Sequence, residues 1–106
     1  MSGTATRYTA SAVVALATPA RSMNRLAKHF SHRLPVSRAE DHARIDFPEG
    51  SCTLAAAATT LRIDIECGAA ATLERYQEVV ARHLVQVTPD EAVDVRWQPG
   101  ATTATA

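Results

Sequence analysis

The sequence predicts an α+β fold, a two-layer sandwich with a mostly antiparallel five-stranded sheet and two helices on one face. Two observations predict it. Several short segments alternate apolar and polar residues with one consistent apolar phase, the pattern of strands buried on a single side. Two longer segments repeat apolar residues every three or four positions, the pattern of amphipathic helices. A sheet with one apolar face needs a cover, and two such helices supply it.

The elements follow in chain order. Tyr8–Ala17 is the first expected strand, with Tyr8, Ala10, Ala12, Val14 and Leu16 on one face. Thr18 then Pro19 reads as a helix start, Thr18 at the N-cap and Pro19 at the first helical position. That helix is expected to run to about Arg33, because Pro35 forbids continuation. A hairpin follows: Ile45 and Phe47 alternate on one arm, Pro48, Glu49 and Gly50 turn, and Cys52, Leu54 and Ala56 alternate on the return. Leu61, Ile63 and Ile65 define the clearest strand, which Gly68 ends. A second helix spans about Ala70 to Gln86, with Leu73, Tyr76, Val80, Leu84 and Val87 as its stripe. Ala92–Trp97 is expected as the last strand, with Val93, Val95 and Trp97 inward. The expected order is therefore β-α-β-β-β-α-β.

A length of 106 residues fits one domain. We read 7–98 as that domain, 1–6 as a flexible N-terminus and 99–106 as a flexible tail, since both ends are small and polar. No apolar run approaches the ~20 residues of a membrane helix. Cys52 and Cys67 form no C-x-x-C pair, and two cysteines without a secretory signal read as free thiols in a cytoplasmic protein. Cys52, alternating with Leu54, reads as a small core residue.

The formal net charge of zero hides an asymmetry. Residues 1–39 carry Arg7, Arg21, Arg25, Lys28, Arg33 and Arg38 and no acid, while all 11 acids lie from Glu40 onward. Such a split resembles a transit peptide, but the same segment supplies a strand and a capped helix. On the first helix, Met23, Leu26, Ala27 and Phe30 make the buried stripe. Arg21, Arg25, Lys28 and His32 fall opposite, with His29 at their edge. Like charges at these spacings repel by about 0.2–0.5 kcal/mol a pair, and no acid on the helix relieves them. The ridge Arg21, Arg25, Lys28, His29 and His32 is thus a candidate anion-binding surface. A solvated face balanced by acids such as Glu74 or Glu78 is the plainer reading.

His29 and His32 share a helical face and are also candidate metal ligands. Their i, i+3 spacing lacks the third ligand that a competent site needs, and cationic neighbours favour an anion over a divalent ion. His83 reads as a core-edge histidine with a satisfied nitrogen, and His42 as a loop residue. No catalytic constellation is visible: Ser51-Cys52 has no nucleophile-elbow context, and Gly50 and Gly68 are too isolated for a phosphate loop. Asp64 and Glu66 lie among Arg44, Arg62 and Arg96 on the outward strand face, where cross-strand pairing accounts for them. That face lacks the stacking aromatics of an RNA-binding sheet.

"TPARSMNRLAKHFSHRLPV", "ARIDFPEGSCTL" and "ATLERYQEVVARHL" together resemble a bacterial family, domain of unknown function 2218, over roughly Tyr8 to Trp97. The most specific blocks are Lys28, His29, Phe30, His32 and Arg33, and Asp46, Phe47, Pro48, Gly50 and Cys52. The resemblance implies no activity. It implies a context of iron, through association with siderophore-interacting flavin reductases. The leading expectation is a non-enzymatic binding or accessory domain in iron–siderophore handling, with the ridge receiving an anionic ligand and no cofactor of its own. The alternatives are an interaction module, docking an acidic protein or forming a homodimer through an edge strand, and metal or haem binding through His29 and His32. Zero net charge and few aromatics argue against nucleic acid, and nothing calls for a membrane.

Overall fold

The computed structural model describes residues 5–99 and 103–105. Its centre is the pairing of β1 (Ala5–Ala15) with β5 (Thr60–Cys67). The register sets Ala10 opposite Ile65, Ala12 opposite Ile63 and Val14 opposite Leu61. All six side chains are buried, small residues of β1 facing branched ones of β5. A slip of one residue would turn the slipped strand's set outward, so burial itself pins the register.

The inward rows continue sideways. β4 (Gly50–Ala56) sets Cys52 and Leu54 beside Ile65 and Ile63, and β3 (His42–Phe47) sets Ile45 and Ala43 beside those. β2 (Val36–Arg38) closes this edge with Val36 opposite Ile45. β6 (Gln98–Pro99) pairs with Ala10 and Ser11 on the far side of β1, giving the order β2-β3-β4-β5-β1-β6. β7 (Thr103–Thr105) pairs with Ala5–Arg7. Every pairing is antiparallel.

Two helices cover the apolar face. α1 (Pro19–Ser31) lies over β3 and β4, and α2 (Ala70–Val87) over β5 and β1. They run antiparallel: Ser22 near the start of α1 meets Thr88 just past the end of α2, while His29 and Phe30 meet His83. Met23, Leu26 and Ala27 of α1 and Val80 and Leu84 of α2 have no exposed surface. Full burial of each larger side chain contributes about 1.5–3 kcal/mol.

The α+β architecture and helix stripes agree with expectation, and the differences have physical causes. Ala92–Trp97 forms no strand. Val93, Val95 and Trp97 are half-buried and pack on the core as expected, so their alternation marks burial without a hydrogen-bond ladder. β2 was not expected, because three residues after a proline carry almost no periodicity. α1 stops at Ser31, with His32 as its C-cap. Thr18 holds the N-cap position without a side-chain bond. Instead the Glu91 carboxylate accepts from the Ala17 N–H at 3.1 and 3.3 Å, an anion at the positive end of the helix. Gly50 begins β4, leaving Pro48 and Glu49 as the turn. His42 begins β3 and bonds Asp41. Of the ends expected to be flexible, Ala5, Thr6, Pro99 and Thr103–Thr105 lie in paired strands; 1–4, 100–102 and 106 lie outside the described residues. The outward charges pair mostly along strands, Arg44–Asp46 and Arg62–Asp64 each at 2.8 Å, with Arg7–Glu66 crossing between them.

Gly50 lies between Phe47 and Cys67 in the sheet. A Cβ there would overlap the Glu66 carbonyl oxygen and sit 2.7 Å from Cys67 Cβ, whereas one on Gly68 would meet nothing within 4 Å. Gly50→Ala is expected to destabilise by about 1–3 kcal/mol through overpacking. Gly68→Ala is expected to be neutral or to stabilise by about 0.4–1 kcal/mol, since its φ is not positive. Urea unfolding midpoints of the two variants check the contrast.

Candidate functional site

The turn between β3 and β4 is tied to α2. Tyr76 Oη accepts from the Glu49 N–H at 3.1 Å, Thr72 Oγ1 donates to Glu49 Oε2 at 2.9 Å, and Arg75 approaches the same carboxylate at 3.6 Å. This anchor holds Phe47 flat on Tyr76, ring centres 4.4 Å apart and 22° from parallel. Phe30 of α1 then meets Phe47 edge-on at 5.6 Å and His83 of α2 at 5.2 Å. His29 completes the series, 4.6 Å from His83. Five rings thus join the hairpin to both helices, each contact in the range where aromatic pairs attract.

Beside these rings opens a cleft of about 530 Å³, lined by His29, Phe30, His32, Arg33, Leu34, Phe47, Val79 and His83. Its lining combines four apolar side chains with three imidazoles and a guanidinium. This is the usual composition of a small-molecule site: apolar walls with a few placed polar groups.

The expected ridge is exposed. Arg21, Arg25, Lys28, His29 and His32 all face solvent. Among the described residues none of these five, nor Arg33, forms an ion pair, and Asp46, Glu49, Asp64, Glu66 and Asp94 pair with arginines elsewhere. Glu74 and Glu78 form no ion pair with the ridge. The residues divide, however. His29 and His32 line the cleft, Arg21, Arg25 and Lys28 do not, and Arg33 joins the lining from outside the expected set. Arg25 Nη1 reaches the Val87 carbonyl at 3.5 Å, supplying a cation to the end of α2, whose last turn has no basic residue of its own. Lys28 and His29 sit in the last turn of α1, where the helix dipole offsets part of their mutual repulsion.

His83 has one satisfied nitrogen, as expected. Nδ1 lies 2.6 Å from the Val79 carbonyl oxygen. A carbonyl only accepts, so Nδ1 carries a proton, and in the neutral ring Nε2 is the nitrogen with the lone pair. Sequence reasoning did not place His83 in the site, because its partners come from α1 and the hairpin. No group of three or more His, Cys, Asp or Glu among the described residues is gathered to hold a metal. Cys52 is buried, its thiol pushed up to about 12 by desolvation and by Asp64, and takes no part.

The His29 pKa is lowered below 6.5 by desolvation first, then by the neighbouring His83 and His32. The folded state thus disfavours the protonated ring. Its contribution to stability is complete above 6.5 and declines as pH falls towards the lower folded value. In a proton NMR titration of the metal-free protein, His29 is expected to titrate below 6.5. His83→Ala is expected to raise that midpoint, since it removes both a like charge and part of the cover.

No helix among the described residues is long and apolar enough to cross a membrane. No curated protein matches the chain. Among solved structures, the NMR structure of PA4090 from Pseudomonas aeruginosa is similar with a TM-score of 0.74 at 29% identity, covering 87% of this chain and 96% of that one. Residues 11–98 match the family described as an uncharacterised protein conserved in bacteria, DUF2218. The two distinctive sequence blocks bracket the cleft, one supplying His29, Phe30, His32 and Arg33 and the other Phe47, and the chain belongs to this DUF2218 family.

Proposed function

We propose that the domain is a non-enzymatic binding module for an anionic ligand with apolar bulk, held in the cleft at the end of α1. One observation carries this reading: Arg33, which forms no ion pair among the described residues, lines one cleft together with four apolar side chains and three imidazoles. Phe30, Leu34, Phe47 and Val79 offer apolar contact, Arg33 lies at the rim, and Lys28 adds positive potential one turn away. Ferric siderophore complexes are often anionic and carry apolar or aromatic groups. The iron context implied by the family resemblance makes them the ligand class of choice, with the domain acting as an accessory to iron–siderophore handling. No serine, threonine, cysteine or carboxylate is among the residues lining the cleft to serve as a nucleophile, which favours binding over turnover.

A two-dimensional NMR titration of labelled protein with a gallium-loaded anionic siderophore is the test. Saturable shifts are expected at Lys28, His29, Phe30, His32, Arg33 and His83. A flat response, or shifts confined to the outer sheet face, would overturn the reading. The double variant Lys28→Glu with Arg33→Glu is expected to weaken binding at least about tenfold, a loss of about 1.4 kcal/mol. Raised salt is expected to weaken wild-type binding in the same direction.

A further inference from the structure

His29 and His83 come from different helices, yet their rings are 4.6 Å apart and tilted by 37°. Two imidazoles bound to one ion at about 2.0–2.1 Å, in neighbouring coordination positions, place their ring centres roughly 4.5–5.2 Å apart. The observed spacing falls within that range. One of the two is also oriented as metal-bound histidines are. The bond from His83 Nδ1–H to the Val79 carbonyl fixes its tautomer and leaves Nε2 as the donor. Phe30 meets the His29 ring at 5.5 Å and the His83 ring at 5.2 Å, limiting the rotation of both.

The surroundings restrict what such a pair can hold. His32 lines the same cleft, but no third donor is gathered beside the pair. The other positions around an ion would face the open cleft. Arg33 at the rim and Lys28 nearby repel a bare divalent cation and attract a complex of net negative charge. Imidazole nitrogen selects zinc, copper, nickel and iron over magnesium and calcium.

We propose that His29 and His83 form a two-histidine site for a first-row transition metal ion presented as an anionic chelate with two open coordination positions. The site shares the cleft of the proposed function and deepens it, since the ion meets the imidazoles while the chelate's charge meets Arg33 and Lys28.

The probe is nickel–nitrilotriacetate, which carries one net negative charge and leaves two adjacent positions free. Titrated into the full chain at pH 7.5, a value on the order of one unit above the histidine range, it is expected to bind 1:1 and to broaden NMR signals of His29, Phe30, Phe47, Val79 and His83. His29→Ala and His83→Ala are each expected to weaken it at least tenfold, and Arg33→Glu severalfold. His42→Ala, at an exposed histidine of β3, is expected to change nothing. His29 is exposed, so its variant tests ligation with the core intact. Binding that survives His29→Ala, or that Arg33→Glu strengthens, would overturn the proposal. If the coordinatively saturated gallium complex binds and nickel–nitrilotriacetate does not, metal ligation fails while the anion-binding reading stands.

Discussion

The stacked contact of Phe47 on Tyr76 is the constraint on which the site depends. It exists because Glu49 is held by three groups of α2, so the hairpin cannot lift away from the helix without breaking that network. With Phe47 fixed, Phe30 has an edge to pack against, and α1 and α2 converge on one corner of the sheet. The cleft is the gap left where three elements meet but do not fill the space. Its shape belongs to the packing of rings as much as to the backbone.

The two ends of the helix pair are stabilised differently. Near the start of α1, Glu91 accepts from Ala17, and the Ser22 hydroxyl meets that of Thr88 in a buried polar contact. Arg25 serves the last carbonyls of α2 from the side. Three polar contacts thus hold the end away from the cleft, and aromatic contacts hold the other. Burying polar groups costs free energy unless they are bonded, and no buried side-chain nitrogen or oxygen among the described residues lacks a partner. The cleft end can therefore keep polar donors at its rim that the fold does not consume.

Period and punctuation made most of the fold legible. The phase of Ala10, Ala12 and Val14 against Leu61, Ile63 and Ile65 is a local pattern, and local patterns survive in sequence. The alternation of Val93, Val95 and Trp97 was equally legible, yet alternation reports which side is buried, not whether a neighbouring strand donates hydrogen bonds. β2 was hidden because three residues after Pro35 are too few to show a period. The site divided along the same line. The exposed side of α1 follows from 100° steps around one helix, so Arg21, Arg25, Lys28, His29 and His32 were readable. The meeting of His29 with His83 depends on how two helices cross, which no single helical pattern encodes.

The two cysteines have a practical consequence. Cys52 and Cys67 are free and fully buried in the sheet, and the Cys52 thiol resists ionisation. Thiol reagents act on exposed thiolates, so the folded chain behaves towards them as though it had no cysteine. A cysteine introduced on the exposed side of α1 would then be the preferred target for a spin label or fluorophore. The natural core can stay intact while distances from that helix to the hairpin are followed spectroscopically.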